Sequence, residues 1–435
     1  MAIKTKQKVK KKTNWYALDN AAKIYPPTVT KERAHVFAFS AILTEEVDSY
    51  LLRESLSKIL LNFPTFRTKL MRGKFWYYLE ENDAPVKVFK EQPYYLKHID
   101  YEKNNGYLFE VLYIGNKVTI KFFHALTDGT GGLNFFKALL VEYLAMTGKP
   151  VDSDGLIKPI DAPASTFETE DSFLAYHNNS GEKAGKIPKP YHISGTPFEY
   201  DGCGLVTIKV SISAIKQMAA KYNSTVTVFL AALYSKSVYN AFLKGRAAKN
   251  QIVSVLIPCN LRKKYGGETQ RNFTMFSRFT YDYSKGELSD ENLNKLCANQ
   301  MAEGLDIGKL DKIIDDNVKT EQNFFIKIAP LFLKDIIMKA VYAKVGEVLQ
   351  TVDFSNVGLV KLPECLNGFV KDVTFAITPT YSCNHQTGVI GYNDNLYITF
   401  ARGFVETDIE KYFIRALTSV GASVTVYSNY WESKL

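Results

Sequence analysis

The stretch Lys121-Phe-Phe-His124-Ala-Leu-Thr-Asp128-Gly129 constrains this chain more than any other, because it sets a histidine, an aspartate and a glycine at HxxxDG spacing between a strand and a helix. Upstream, residues 108–114 and 117–123 are β-rich runs joined by Gly115-Asn116, a two-residue link of the kind that closes tight hairpins. Val118, Ile120 and Phe122 then share one face of a strand, and His124 falls where that strand ends. Gly129, Gly131 and Gly132 break the extended run before Leu133, Phe136, Leu140 and Tyr143 resume at helical spacing. A side chain at such a junction is held rigidly between two regular elements.

Histidine is the side chain whose unperturbed pKa lies near neutrality, so His124 is suited to take a proton from a hydroxyl or amine as that group attacks a carbonyl. Asp128 is better explained as fixing the loop through a buried ion pair or hydrogen bond than as a second proton carrier. Gly129 permits backbone angles or a close approach that a side chain would block. With six histidines in the chain, the spacing would arise by chance about 0.02 times at average residue usage, so composition alone does not account for it. The plain alternative is a buried core histidine followed by an aspartate that only caps a helix. It explains the two residues separately but not their placement together between strand, glycines and helix.

In this context the stretch resembles the active-site signature of the CoA-dependent acyltransferase superfamily. That superfamily includes chloramphenicol acetyltransferase, plant acyltransferases, nonribosomal-peptide condensation domains, wax ester synthases and alcohol acetyltransferases, and the resemblance spans nearly the whole chain. Asn62-Phe-Pro-Thr-Phe-Arg67 follows an amphipathic run and looks like the superfamily's His-Pro-x-Leu-Arg step, with Arg67 the expected partner of Asp128. The segment from Val255 through Pro258 to Arg262, followed by Arg271-Asn272-Phe273, is similar to the Pro-x-x-x-Arg and Gly-Asn crossover segment. Asp353-Phe-Ser355-Asn356-Val-Gly358 looks like the Ser-Asn-x-Gly element of the alcohol acetyltransferase branch. That element stands where the plant and condensation branches carry Asp-Phe-Gly-Trp-Gly, which favours a relative of alcohol acetyltransferases or wax ester synthases. Phe123 stands where many members carry a first histidine, whereas the second, the base in the superfamily, is matched by His124.

The resemblance implies an α+β fold of two chloramphenicol-acetyltransferase-like subdomains. Each would be a mixed β-sheet flanked by helices, with the active site in a tunnel at their interface. It further implies transfer of an acyl group from acyl-CoA to the hydroxyl or amine of a small or lipophilic acceptor, in a ternary complex with His124 as general base. Asp128, Gly129 and Asn356 would complete the catalytic set, Arg67 and Gly358 would support it, and Ser355 would contact substrate. Asn356, or Ser355 beside it, is the candidate donor to the tetrahedral oxyanion, and a turn residue before Gly358 is the other reading of Asn356. No metal is needed. Two rivals stay open: a condensation-like enzyme fed by the phosphopantetheine of an acyl carrier protein, and a non-catalytic relative that binds a ligand or partner.

At 435 residues the chain exceeds what one core usually serves and suggests two units of roughly 200 residues. The expected division is a basic tail over 1–13, an N-terminal subdomain over 14–150, a crossing linker over 151–203 and a C-terminal subdomain over 204–435. Its 27 Tyr and 28 Phe supply material for two β-rich cores. Five cysteines without CxxC or zinc spacing indicate neither a disulfide framework nor a metal site, and point to a reducing, cytoplasmic setting. Of the net charge of +9, six lysines lie between Lys4 and Lys12, while the other basic residues are interspersed with acids. A nucleic-acid partner is therefore not expected, and the tail reads as solvated, with a weak attachment to anionic lipid as the alternative. No run of 18 uncharged apolar residues predicts a membrane span. A monomer is expected, since both halves of the site lie in one chain.

Periodicity predicts a strand over 34–43, a helix over 45–61, strands around 74–79, and a helix over 132–147. In the second half it predicts strands over 205–210 and 252–257, helices after Ser213 and Thr225, and strands at 373–379, 388–392 and 396–401, then a last helix over 409–420. Residues 321–345 read as a long apolar helix divided at Pro330. Its Phe324, Phe325, Ile328, Leu331, Phe332 and Ile336 would line a channel, pack in the core or form a lid.

Overall fold

Val36–Leu43 is apolar on both faces apart from Ser40, the pattern of a strand covered on each side. The computed structural model of the chain describes residues 14–150, 165–177, 187–199 and 201–429, and in it this strand is almost wholly buried. The basic tail over 1–13 and most of the expected linker lie outside the described residues. Strand Val36–Leu43 belongs to a five-stranded mixed sheet whose order is Val370–Ile377, Val36–Leu43, Lys117–Phe123, Phe109–Ile114 and Val88–Lys90. The expected hairpin is present, with Ile114 opposite Lys117 and Phe109 opposite Phe122. Helices Ser49–Ile59 and Gly129–Met146 cover this half, the first capped by Asp48, which accepts from the amides of Tyr50 and Leu51.

The second half carries a seven-stranded mixed sheet in the order Thr274–Asp282, Ile252–Asn260, Val352–Val360, His385–Tyr392, Asn395–Arg402, Gly204–Ser211 and Val424–Ser428. Helices Val226–Val238, Asp290–Gly304 and Asp408–Ser419 pack together on it. Both of these sheets are mixed and flanked by helices, as an α+β fold of two related subdomains requires, and a smaller antiparallel sheet of Trp15–Ala17, Tyr77–Glu81 and Thr68–Arg72 stands beside them.

One strand joins the two sheets. Val370–Ile377 follows second-half strand Val352–Val360 in sequence, yet it pairs antiparallel with Val36–Leu43, Phe375 opposite Phe39. Its side chains answer to the other sheet. Asp372 accepts from Tyr397 at 2.6 Å and pairs with Lys209 at 2.7 Å, and the Tyr392 hydroxyl donates to the Val370 carbonyl at 3.2 Å. The approach is close because Gly388 lies beneath it, where a Cβ would stand 2.4 Å from the Phe375 carbonyl oxygen. The first core accordingly runs through Phe39, Phe136 and Phe375 and on into Tyr392 and Tyr397.

Two expectations shift. The strand region around 74–79 is two strands, Thr68–Arg72 and Tyr77–Glu81, with a turn between them in which the Gly73 amide bonds to the Trp76 carbonyl. The apolar stretch after 321 divides at Pro330 as expected, into Phe324–Ile328 and Leu331–Val345. Of its six apolar residues, however, only Leu331 is buried, while the other five are on the surface. They neither line an enclosed channel nor fill the core.

Replacing Phe375 by Ala removes a buried ring that stacks on Phe39 with centroids 4.9 Å apart, and should cost about 3–5 kcal/mol. Urea unfolding followed by circular dichroism should show one transition moved to lower denaturant, because this strand pairs within the first sheet and packs on the second.

Candidate active site

The motif strand ends where the backbone of His35 intervenes. The His124 amide donates to the His35 carbonyl at 2.8 Å, and His35 itself has φ +50°, a left-handed conformation unusual for a residue with a side chain. Four residues after His124, Asp128 caps helix Gly129–Met146, its Oδ1 accepting from the amides of Thr130 and Gly131, both at 3.1 Å. Gly131 is required by packing, since a Cβ there would stand 2.0 Å from the Gln270 carbonyl oxygen. The same carbonyl accepts from the Thr127 hydroxyl at 2.6 Å. The motif loop is thus pressed against residues 260–274 of the other half.

Asp128 is the anchor of that contact. Its Oδ2 accepts from Arg262 Nη1 at 2.8 Å, from the Phe273 amide at 2.9 Å and from the Thr274 hydroxyl at 2.9 Å, while Arg262 Nη2 reaches Oδ1 at 3.2 Å. All five Arg262 donors are used, the remainder going to Asn260 Oδ1 and to the carbonyls of Thr269 and Arg271. Burial acts to raise the Asp128 carboxyl, but Arg262 and the amides of Phe273 and Gly131 outweigh it and hold the group below its ordinary range. The partner of Asp128 is therefore Arg262, not Arg67. Arg67 lies in the first half with its guanidinium on Asp83 at 2.5 Å and near Glu81 at 3.7 Å, because the turn before strand Thr68–Arg72 aims it at that hairpin.

His124 is only partly exposed, with Tyr25 stacked on its ring at a centroid distance of 4.8 Å and Phe37 edge-on at 5.2 Å. Its Nδ1 lies 3.1 Å from Asn272 Oδ1. The orientation of that amide follows from its other contacts, since Asn272 Nδ2 faces two acceptors, the His124 carbonyl at 3.1 Å and Asp19 Oδ2 at 3.2 Å. Oδ1 must then accept from Nδ1–H, which leaves the Nε2 lone pair free. Asp19 is itself fixed by the Ala22 amide at 2.7 Å and by Arg271 at 3.6 Å. Burial lowers the His124 pKa, with Asp128 and Asn272 opposing in part, so the ring is neutral at neutral pH. His35, pushed down to about 3 by burial and by the cationic forms of His124 and Arg33, is neutral as well, and its Nε2 lies 3.0 Å from the Thr28 hydroxyl.

The second-half element arrives at the motif through Val357, whose Cγ1 would be 3.2 Å from a Cβ at Gly129. Strand Val352–Val360 is irregular here, its pairing with His385–Tyr392 shifting between Asn356 and Leu359, and Gly358 has φ +87°, which glycine adopts without strain. Asn356 shapes this turn, its Oδ1 accepting from the Gly358 amide at 2.9 Å and its Nδ2 donating to the Thr227 hydroxyl at 3.0 Å. Ser355 is half-buried one residue earlier on the same strand. Arg262 and Asn272 stood in segments already singled out in the sequence, but their pairing with Asp128 and His124 did not follow from it. Asp19, Tyr25 and His35 carried no sequence signal at all.

Among the described residues, no three His, Cys, Asp or Glu side chains are grouped to hold a metal ion. Asp128→Asn should cost about 3–5 kcal/mol in thermal or urea unfolding, because it leaves the Arg262 guanidinium buried beside a neutral group. A carboxyl held below 3.8 contributes in full above its unfolded value and loses that contribution as pH falls through its folded value. Wild type should therefore lose stability below that pH by a component missing from the Asn variant, as unfolding across a pH series would show.

No family model matches the sequence, and no curated protein matches it either. Solved structures do match the fold. The structure is similar to TRI101 of F. graminearum, complexed with coenzyme A and T-2 mycotoxin, at TM-score 0.60 and 11% identity, covering 96% of this chain and 100% of that one. It is similar to the starter condensation domain of rhizomide synthetase in complex with C8-CoA and Leu-SNAC, at TM-score 0.56 and 14% identity over 93% of this chain and 94% of that one. It is also similar to polyketide synthase associated protein 5 from Mycobacterium tuberculosis, at TM-score 0.55 and 15% identity, with coverage of 93% and 96%. The chain therefore shares the fold of these structures, two mixed sheets flanked by helices.

Proposed function

We propose that this chain is an acyltransferase that moves an acyl group from an acyl-CoA thioester to the hydroxyl or amine of a small or lipophilic acceptor, with His124 as general base. The observation that carries this reading is the Asp19–Asn272–His124 chain, which holds Nδ1 as a donor and leaves Nε2 as the proton acceptor. Nε2 removes the acceptor proton as its oxygen or nitrogen attacks the thioester carbonyl. The tetrahedral intermediate collapses with loss of the CoA thiolate, which takes the proton back from the imidazolium. Atoms balance without a covalent enzyme intermediate. Asp128 and Arg262 act on the loop that carries His124 and do not touch the reacting atoms. The second proton of the Asn356 amide is the candidate donor to the oxyanion, with Ser355 beside it. The neighbours bound to coenzyme A and C8-CoA support a thioester donor.

The test is thiol release from acyl-CoAs of graded length with pooled alcohols and amines. His124→Ala should lower the acceptor-dependent rate about 100-fold or more. Asn272→Leu should lower kcat by up to about 100-fold by loosening the tautomer and ring position, with a smaller effect on KM. Release that appears only with an acyl group loaded on a carrier protein would replace the CoA donor in this reading, and no turnover with either donor would overturn it.

Since the neutral ring is the active form and burial lowers its pKa, kcat/KM should be level at neutral pH and fall only below the ordinary histidine value of 6.5. An acid limb above 6.5 would contradict the buried, neutral His124 described here.

A further inference from the structure

Amphipathic helices ordinarily turn their polar side outward. Helix Leu331–Val345 does the reverse. Its inward side holds Lys334 and Asp335 beside the single buried apolar residue Leu331. Lys334 Nζ donates to the carbonyls of Phe75 at 2.7 Å and Lys327 at 3.2 Å and lies over the Trp76 ring. Asp335 accepts from Arg72 at 3.0 Å and from Tyr77 at 3.2 Å. Outward, at the spacing of helical neighbours, stand Phe332 and Ile336, each 61% exposed, then Ile337 at 51% and Val341 at 48%. The preceding turn adds Phe324 and Phe325, 66% and 76% exposed. Phe75, half exposed next to Lys334, continues the patch. Contiguous apolar surface of this kind marks an interaction site.

Charge selects the occupant. Between residues 324 and 345 the exposed charged side chains are Lys327, Lys339 and Lys344, and the single acid of the stretch, Asp335, is turned inward. We infer that this face seats on the surface of an anionic lipid bilayer. The large apolar side chains enter the boundary between headgroups and acyl chains, and the lysines meet the lipid phosphates. Self-association through the same face would bring like charges together.

The far side of this helix leads to the candidate active site. The Tyr342 ring stands edge-on to His35 at 5.7 Å, its hydroxyl donates to Glu347 at 2.8 Å, and Arg33 pairs with Glu347 while lying over the Tyr342 ring. His35 in turn holds the His124 amide. A bilayer on the outer face therefore lies one helix away from the residues around His124. The inference rests on the surface alone and stands whatever acyl group or acceptor the site takes.

The experiment is flotation of the full chain with vesicles of phosphatidylcholine alone and of phosphatidylcholine with phosphatidylserine. Wild type is compared with Phe332→Glu/Ile336→Glu, and with a chain in which the six lysines from Lys4 to Lys12 are all replaced by Gln. Both glutamates fall at exposed positions, and an unchanged melting temperature verifies the fold. Wild type and the tail variant should float with the anionic vesicles, and the double variant's partitioning should fall by about 100-fold, the expected loss for two large apolar side chains. Failure of wild type to float, equal flotation of the double variant, or binding lost with the tail lysines alone would each overturn the inference. So would a dimer in light scattering that the double variant dissolves, which would assign the face to a second copy of the chain.

Discussion

The bidentate contact between Asp128 and Arg262 is the interaction on which the arrangement depends. Two opposite charges, both nearly excluded from water, are removed from solvent at a cost that their attraction alone does not recover. What makes the pair tenable is saturation. The carboxylate also takes amides from its own helix and from Phe273, and the guanidinium spends every donor. Such a pair specifies one geometry, since a shift of the loop by an ångström would leave several buried donors and acceptors unmet. It holds the strand-to-helix turn of one half against residues 260–274 of the other, and Asn272 is brought to the His124 ring by that registration.

Small residues decide how near the layers come. Gly131 lets the motif helix touch the Gln270 carbonyl, and Gly388 lets strand Val370–Ile377 lie on the second sheet. Aromatic rings fill what remains on the His124 side: Tyr25 and Phe37 cover the imidazole, and Phe37 packs in turn on Phe122 and Phe375. A ring so enclosed has little rotational freedom, which lowers the entropy lost when it meets a substrate. Backbone strain at His35 is tolerated because its carbonyl and its side chain are both engaged.

Local pattern was enough for the hairpin, for His124 at the strand end and for Asp128 at the helix start, because hydrophobic period and glycine placement act within a dozen residues. It failed where pairing spans the chain. Arg67 and Arg262 are chemically equal candidates for Asp128, and only the crossing of segments 134 residues apart chooses between them. Asp19 and Tyr25 lie in a segment near the N-terminus without periodicity, and His35 lies at the start of an ordinary strand pattern, so nothing local marks them as neighbours of the imidazole. For residues 324–345, composition announced an apolar helix, but which side faces inward is set by Arg72, Trp76 and Tyr77 on a distant hairpin. The strand Val370–Ile377 has the same character: its residues declare a strand, and its sheet is a matter of topology.

That strand has a consequence for how the chain can be divided. A cut between Lys117–Phe123 and Gly204–Ser211 would not yield two autonomous modules, because the N-terminal fragment would lack the strand that pairs with Val36–Leu43. The C-terminal fragment would in turn carry that strand without the partner it bonds to, and because it is the end strand of its sheet both of its edges would be open to addition of another strand. Each piece is thus the missing complement of the other, and the architecture is that of a natural split-protein pair whose reassembly restores the His124 environment only when both fragments are present.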